Sequence, residues 1–149
     1  MAGVTPHLRR GPAAGAIGGT AMSVATNLEM RIRGREPSRV PVQTIERFLP
    51  LDLSRRQEER LATVGHVISS AGFGLLRGLL EATSASAAFA NAAFAAAAFS
   101  PDFVVIPATG GAPPPWRWRL VELVTSAVHH GVYASTTVSV YEWLRRRGV

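Results

Sequence analysis

The sequence contains no cysteine and no lysine, and charged residues of any kind are scarce. All sixteen basic side chains are arginine, and charged residues make up 17% of the 149 positions, against about 25% in an average soluble domain. Without cysteine, a disulfide scaffold and a thiolate metal site are both excluded. The hydrophobic fraction of 47% excludes a highly charged disordered chain. The length fits one domain.

The arginines occur in clusters that bracket long apolar stretches. The clusters fall within 9–10, 31–60, 117–119 and 145–147, and Arg77 is the one basic residue between Leu61 and Pro115. Proteins that bind nucleic acid more often spread basic residues and aromatics along one exposed face. Arginines that flank apolar segments are typical of membrane proteins, where they contact lipid phosphates. We therefore expect a lipid bilayer as partner, and no nucleic acid, despite the net charge of +6.

Four apolar segments predict an all-α fold, a four-helix transmembrane bundle formed by residues 1–149 as a single membrane domain. The expected helices cover about 11–32, 54–81, 85–106 and 118–145, each long enough to cross a hydrocarbon core of about 30 Å. The first segment also resembles a signal peptide, but the basic residues that follow it favour a retained helix. The third begins with an alanine-rich stretch at 85–99. Because alanine is weakly hydrophobic, this is the span we expect to be weakest.

The connector at 33–53 contains a short amphipathic pattern. Val42, Ile45, Phe48 and Leu49 recur at helical spacing between prolines, which predicts a short helix. This helix either packs on the end of the bundle or lies in the headgroup plane. The run from Ser54 to Gln57 has the pattern of a capping box and predicts the start of the second long helix.

Aromatic residues and arginines mark both ends of the fourth segment. Trp116 and Trp118 precede it, and Tyr141 and Trp143 lie near its end, as in the interfacial belts of membrane helices. The face that would meet water in a soluble bundle carries Thr, Ser, Ala and Val instead of Lys and Glu. This missing polar face favours the membrane over water as surroundings.

Small residues recur four apart on the first two long helices. Gly11, Gly15 and Gly19 form one stripe, and Gly74 and Gly78 repeat the spacing. Such stripes allow two helices to approach closely in lipid, where apolar burial gives no driving force. We expect tight packing within the chain, with homodimerisation through the stripe as the alternative.

Ionisable groups at membrane depth are costly and usually face the interior of a bundle. The spacing of Arg77 and Glu81 predicts an ion pair close enough to the helix end to reach the interface. The polar candidates inside the membrane are His66, His129, His130, Tyr133 and Glu122.

These residues do not form a recognisable catalytic or metal-binding motif. The sequence has no Walker loop, dinucleotide fingerprint, nucleophile elbow or His and Glu pairs of di-iron bundles. We therefore expect no enzyme, no metal and no cofactor. Haem or pigment binding between His66 and one of the later histidines stays as an alternative. Transport or proton handling by buried histidines is the other.

Several motifs are similar to the YagU-like family of uncharacterised small bacterial membrane proteins. The run GAIGGTAMSVATNLEM with the basic segment after it, then GHVISSAGFGLLRGLL, IPATGGAPPPW and ELVTSAVHHGVYAS occur in the family's order over nearly the whole chain. The resemblance implies a four-helix membrane protein with no established reaction. The matching positions are Gly34, Arg35, Pro37, His66, Phe73, Gly74, Gly78, Pro107, Gly110, His130 and Tyr133. The alanine-rich third segment departs from the bulkier helix of this pattern.

Together these features predict a multi-pass protein of the bacterial inner membrane. Its expected role is structural or accessory, as a subunit of a larger membrane complex or a homo-oligomer. The arginine count favours the 33–60 connector and the Trp116 loop on the cytoplasmic side, with both termini on the other.

Overall fold

The computed structural model describes residues 5–46, 49, 52–83 and 86–149, which are almost entirely helical and contain no strand. This confirms the expected all-α class with four long helices. The third long helix continues through a π-helical turn at Pro101–Val105 and a last α-helical turn at Ile106–Ala108. The helices are α1 (Thr5–Arg33), the short α2 (Val40–Glu46), α3 (Arg55–Thr83), α4 (Ala87–Ser100) and α5 (Leu120–Arg147).

The boundary of α1 differs most from the sequence prediction. It begins at Thr5 rather than about residue 11, and Pro12 lies inside it. The added first turns place His7 against Tyr141 of α5, with His7 Nδ1 and the tyrosine hydroxyl 2.5 Å apart. The other long helices begin and end within two residues of the predicted bounds, with α4 counted through its continuation to Ala108.

The connector forms the short helix that its pattern predicts. Helix α2 buries Val42 and contacts α3, and Arg39 just before it pairs with Glu58 of α3 at 2.5 Å. Phe48 of the predicted pattern lies outside the described residues. Helix α3 begins after Ser54, whose backbone N–H donates to the Gln57 side chain at 2.8 Å, as the capping-box pattern predicts.

The four long helices run alternately up and down. Helix α1 is antiparallel to α3, since Gly15 faces Gly74 and Gly19 faces Ser70. Helix α4 is antiparallel to α5, since Phe94 contacts Tyr133 and Phe99 contacts His130. One end of the bundle, the terminal end, therefore collects the start of α1 and the ends of α3 and α5. The opposite end, the connector end, collects the end of α1 and the starts of α3 and α5.

Helices α1 and α3 meet backbone to backbone at glycines. A Cβ atom on Gly15 would lie 2.8 Å from the Cα of Gly74, and one on Gly74 would lie 2.7 Å from the Cα of Gly15. Gly11, Gly19 and Gly78 line the same crossing. The stripe is therefore used for packing within the chain, which is the first of the two interpretations drawn from the sequence.

The interior of the bundle is poor in large apolar side chains. The core cluster consists of Phe94, Ala98, Tyr133 and Ala134. Large apolar side chains instead cover much of the outside of the long helices. Those exposed on α1, α3 and α5 include Ile17, Val24, Leu28, Val64, Val67, Ile68, Leu79, Val121, Val124 and Val128.

Charged side chains concentrate toward the ends of the bundle. No Asp, Glu, Lys or Arg occurs in the intervals 11–28, 61–76, 82–101 and 123–141. Where these 16- to 20-residue intervals are helical, they extend for about 24–30 Å at about 1.5 Å per residue. Arg77, which directly follows the interval 61–76, is buried instead, and it belongs to the site described below.

Among the helices of the described residues, only Ala87–Ala108 is long and apolar enough to cross a membrane by composition alone. Most of this helix lies at the surface of the bundle. The result reverses our expectation that the alanine-rich segment is the weakest span. Helices α1, α3 and α5 have a lower mean hydropathy because they contain charged residues near their ends and Gly, Ser, Thr and His residues between them.

Two glycines of α3 provide a matched test of the backbone contact. Gly74→Ala forces α1 and α3 apart, so we expect it to lower the free energy of unfolding by about 1–3 kcal/mol. Gly72 lies two residues away and has nothing within 4 Å of an added Cβ. Gly72→Ala is therefore expected to be neutral or to stabilise by about 0.5–1 kcal/mol. Equilibrium unfolding in detergent measures both, and equal effects would contradict this packing.

Candidate functional site

The buried face of α5 is polar along most of its length. Its buried side chains recur every three or four residues, which places them on one helical face. At its two ends this face joins two polar clusters, one with α3 and one with α4. The buried polar and tyrosine side chains are Ser126, His129, His130, Tyr133, Thr137 and Tyr141.

The first cluster surrounds Arg77 near the terminal end. Arg77 Nη1 donates to Glu81 Oε2 at 2.9 Å, and Nη2 donates to Glu142 Oε1 of α5 at 3.4 Å. The guanidinium carbon lies 4.3 Å from the centre of the Tyr141 ring, a cation–π contact. Glu142 also accepts two hydrogen bonds from Arg145. We call Arg77, Glu81, Tyr141 and Glu142 the Arg77 cluster.

The burial of Arg77 corrects the sequence prediction. The ion pair with Glu81 forms as predicted, but the Arg77 side chain is 0% exposed and is enclosed by the bundle instead of extending outward. Sequence spacing alone did not reveal Glu142, which approaches from α5. The Nε of Arg77 has no hydrogen-bond partner among the described residues. The buried charge therefore depends on its two carboxylates and on the tyrosine ring.

The second cluster surrounds His130 toward the connector end. His130 Nδ1 donates to the backbone carbonyl of Ser126 at 3.0 Å, and the Ser126 hydroxyl donates to Asp102 Oδ2 at 2.9 Å. The same carboxylate oxygen lies 3.8 Å from His130 Nδ1. The ring of Phe99 packs on the imidazole at 5.3 Å between centres. We call Phe99, Asp102, Ser126 and His130 the His130 cluster.

The His130 cluster contains serine, histidine and aspartate but not in the arrangement of a nucleophilic triad. In a triad, the serine hydroxyl donates to histidine and the carboxylate orients the other ring nitrogen. Here the Ser126 hydroxyl donates to Asp102, and His130 Nδ1 is bonded to a backbone carbonyl. The Ser126 hydrogen bond connects α5 to the segment that continues α4, and neither bond activates a nucleophile.

A proline positions Asp102, which the sequence analysis missed. Pro101 has no N–H, so the carbonyl of Ala97 loses its usual partner, and the Ser100 hydroxyl donates to it at 2.7 Å. The chain then forms the π-helical turn, with the N–H of Ile106 bonded to the Pro101 carbonyl. A proline followed by an acidic residue inside an apolar segment was the available signal.

Two of the predicted polar residues bond to backbone carbonyls of neighbouring helices. His66 Nε2 donates to the Gly19 carbonyl at 3.1 Å, and the Tyr133 hydroxyl donates to the Ser70 carbonyl at 2.7 Å. His129 is also buried. These contacts join α1 to α3 and α3 to α5, so these side chains act between helices.

Glu122, which the sequence predicted to be a polar residue inside the membrane, lies outside the buried face of α5. It is exposed in the first turn of α5, and its carboxylate accepts the backbone N–H of Arg119 at 2.8 Å. An acidic residue near a helix start commonly satisfies an unpaired N–H in this way. Glu122 caps α5 and takes no part in the polar interior.

Glu29 organises charges at the connector end of α1. It accepts hydrogen bonds from Arg33 and Arg35, each at 2.7 Å. The Arg35 hydrogen bond is the largest cause that lowers the pKa of Glu29 below its ordinary value. Arg33 also donates to the Thr125 hydroxyl of α5 at 3.1 Å, so this group ties α1 to α5.

No group of three or more His, Cys, Asp or Glu side chains within the described ranges could hold a metal ion. The haem alternative requires one ring nitrogen of each histidine for the iron, and His66 uses its Nε2 on the Gly19 carbonyl. His130 likewise uses one ring nitrogen on a carbonyl of its own helix. A ligating histidine commonly donates its other ring N–H to a carbonyl in this way, so these bonds fit helix contacts and axial ligation alike.

No protein-family model, curated protein or solved structure matches this chain. The similarity to the YagU-like family therefore stays a prediction from the motifs. The site must be interpreted from its own geometry.

Helix α3 contains one buried and one exposed ion pair, and comparing them measures how much the buried pair contributes to stability. Arg77→Gln leaves Glu81 and Glu142 without their shared cation, so we expect a loss of about 3–5 kcal/mol of stability. Arg55 pairs with Glu59 at the same spacing but is 84% exposed. Arg55→Gln is therefore expected to cost less than about 1 kcal/mol. Unfolding in detergent compares the variants, and an Arg77→Gln loss as small as the Arg55→Gln loss would contradict the assignment.

Proposed function

We propose that the chain is a small integral protein of the bacterial inner membrane whose four long helices all cross the bilayer. Its role is structural or accessory, as a subunit of a larger membrane assembly. The family resemblance supports the bacterial membrane location. The distribution of side chains supports the membrane-spanning bundle.

The observation that carries the proposal is that large apolar side chains lie on the outside of the bundle while charged and polar side chains lie inside it. Ile17, Ile68 and Val128 lie on the outside of three different helices, while Arg77 and His130 are buried. In water, burial of apolar surface is the main driving force for folding, and this bundle forgoes much of it. In lipid, exposed apolar side chains cost nothing and polar groups turn inward.

The charge-free intervals support the same proposal. Their lengths match the hydrocarbon thickness of about 30 Å. Arginines near both ends of the bundle, among them Arg31, Arg60 and Arg145, would lie at the level of the lipid phosphates.

The low hydropathy of α1, α3 and α5 is compatible with spanning. Much of it comes from glycines at the helix crossing, and from Ser, Thr and His on the interior face. These residues meet other helices rather than lipid, so their cost on insertion is offset by packing. Helix α4 is the most apolar of the long helices, and it supplies Phe94 and Ala98 to the core cluster.

The hydrogen bonds favour a structural role over proton handling. His66 and His130 each bond to a backbone carbonyl, and Tyr133 does the same. Such bonds hold a histidine in one tautomer and orientation. The bonds of His66 and Tyr133 cross between helices and stabilise the bundle as interhelical hydrogen bonds do in membranes, whereas the bond of His130 lies within α5.

We expect the protein to stay in the membrane pellet after alkaline carbonate extraction, because its apolar exterior then remains in lipid. Recovery in the carbonate supernatant would contradict the membrane proposal.

We also expect purified protein in liposomes to give proton flux at the empty-liposome baseline. Flux above baseline that is lost in His130→Ala would contradict the structural role and favour the proton-handling alternative.

A further inference from the structure

The first three turns of α3 carry a shallow, open surface groove along one helix face, lined by Arg56, Glu59, Arg60, Thr63 and Val64. Its lining changes from charged to apolar along the helix. The two arginines are four residues apart, so both side chains lie on the same face. The groove sits where the charged start of α3 meets its charge-free interval.

The acidic residues of this segment are already engaged by other arginines. Glu58 pairs with Arg39, and Glu59 pairs with Arg55 at 3.4 Å. Among the described residues, neither Arg56 nor Arg60 has a carboxylate within ion-pair distance. The groove therefore presents two positive charges whose neighbouring acids are used elsewhere.

The groove offers hydrogen-bond donors that suit a phosphate. Guanidinium groups bind phosphate through two parallel N–H bonds. The Thr63 hydroxyl already donates to the Glu59 carbonyl at 2.8 Å. Among the side chains that line the groove, the arginines are thus the donors left for a ligand.

The apolar end of the groove continues along the outside of α3. Val64, Val67 and Ile68 are all more than half exposed and follow one another toward the middle of the bundle. Two arginines followed by a run of exposed aliphatic side chains match the layout of a lipid, with its anionic headgroup above its acyl chain. A free phosphate would use only the first part of this surface.

We propose that this groove binds an anionic phospholipid, with its phosphate between Arg56 and Arg60 and an acyl chain along Val64, Val67 and Ile68. The proposal rests on the membrane-spanning bundle proposed above, which sets the start of α3 at headgroup level. The bound lipid would be retained at one position of the bundle rather than exchanged freely with the bilayer. Glu59 lines the groove and repels the phosphate, while Arg55 weakens that repulsion.

Native mass spectrometry of the full chain released from nanodiscs tests this proposal. The nanodiscs contain equal amounts of phosphatidylglycerol and phosphatidylcholine, and the measured quantity is the ratio of the two lipids retained. We expect wild type to retain phosphatidylglycerol preferentially. The double variant Arg56→Gln, Arg60→Gln should lower this preference by about 5- to 30-fold, since each arginine near an anionic surface contributes about fivefold. Glu59→Gln should raise the preference.

The matched control is Arg31→Gln with Arg117→Gln, which removes two exposed arginines at the same end but outside the groove. We expect this variant to retain the wild-type preference. Equal losses in both double variants would overturn the site, because they indicate a general charge effect. Loss of the retained lipid on addition of millimolar inorganic phosphate would also overturn it, in favour of a free-phosphate site.

The two proposals fail in distinguishable ways. A chain that enters nanodiscs but shows no preference for phosphatidylglycerol overturns the lipid site alone. A chain that stays in the aqueous fraction and does not enter nanodiscs overturns both.

Discussion

The backbone contact between Gly15 and Gly74 is the constraint on which the rest of the bundle depends. With no side chains between them, α1 and α3 approach until a single Cβ atom would be too close. This approach brings the Gly19 carbonyl within reach of His66. Gly18 repeats the arrangement toward α5, where an added Cβ would lie 2.9 Å from the Tyr133 carbonyl. Helix α1 therefore serves as the common surface on which α3 and α5 are assembled.

The close glycine contacts limit how much apolar surface the bundle buries. Glycine crossings bury little apolar area, so the interior is completed by polar contacts such as Arg77 with Glu142 and Tyr133 with the Ser70 carbonyl. A protein in water gains most of its stability from apolar burial. This bundle buries polar groups and exposes aliphatic ones, which is the favourable arrangement in lipid.

The sequence predicted features that depend on local spacing. The four long helices, the start of α3 after Ser54 and the glycine faces all follow from short-range patterns. Features that need a second helix were missed or wrong. The enclosure of Arg77 depends on Glu142, 65 residues away, and Asp102 is aimed at Ser126 by a π-helical turn that hydrophobic periodicity does not encode.

We propose that all four long helices face lipid, and nitroxide accessibility tests this most directly. The chain has no cysteine, so single cysteines carry a spin label without background. Labels at Ile17, Ile68, Ala96 and Val128 place one exposed probe on each long helix. In liposomes we expect all four labels to collide often with dissolved oxygen and rarely with a water-soluble nickel chelate. Nickel access at positions 17, 68 and 128, with protection at 96 alone, would contradict the four-span bundle.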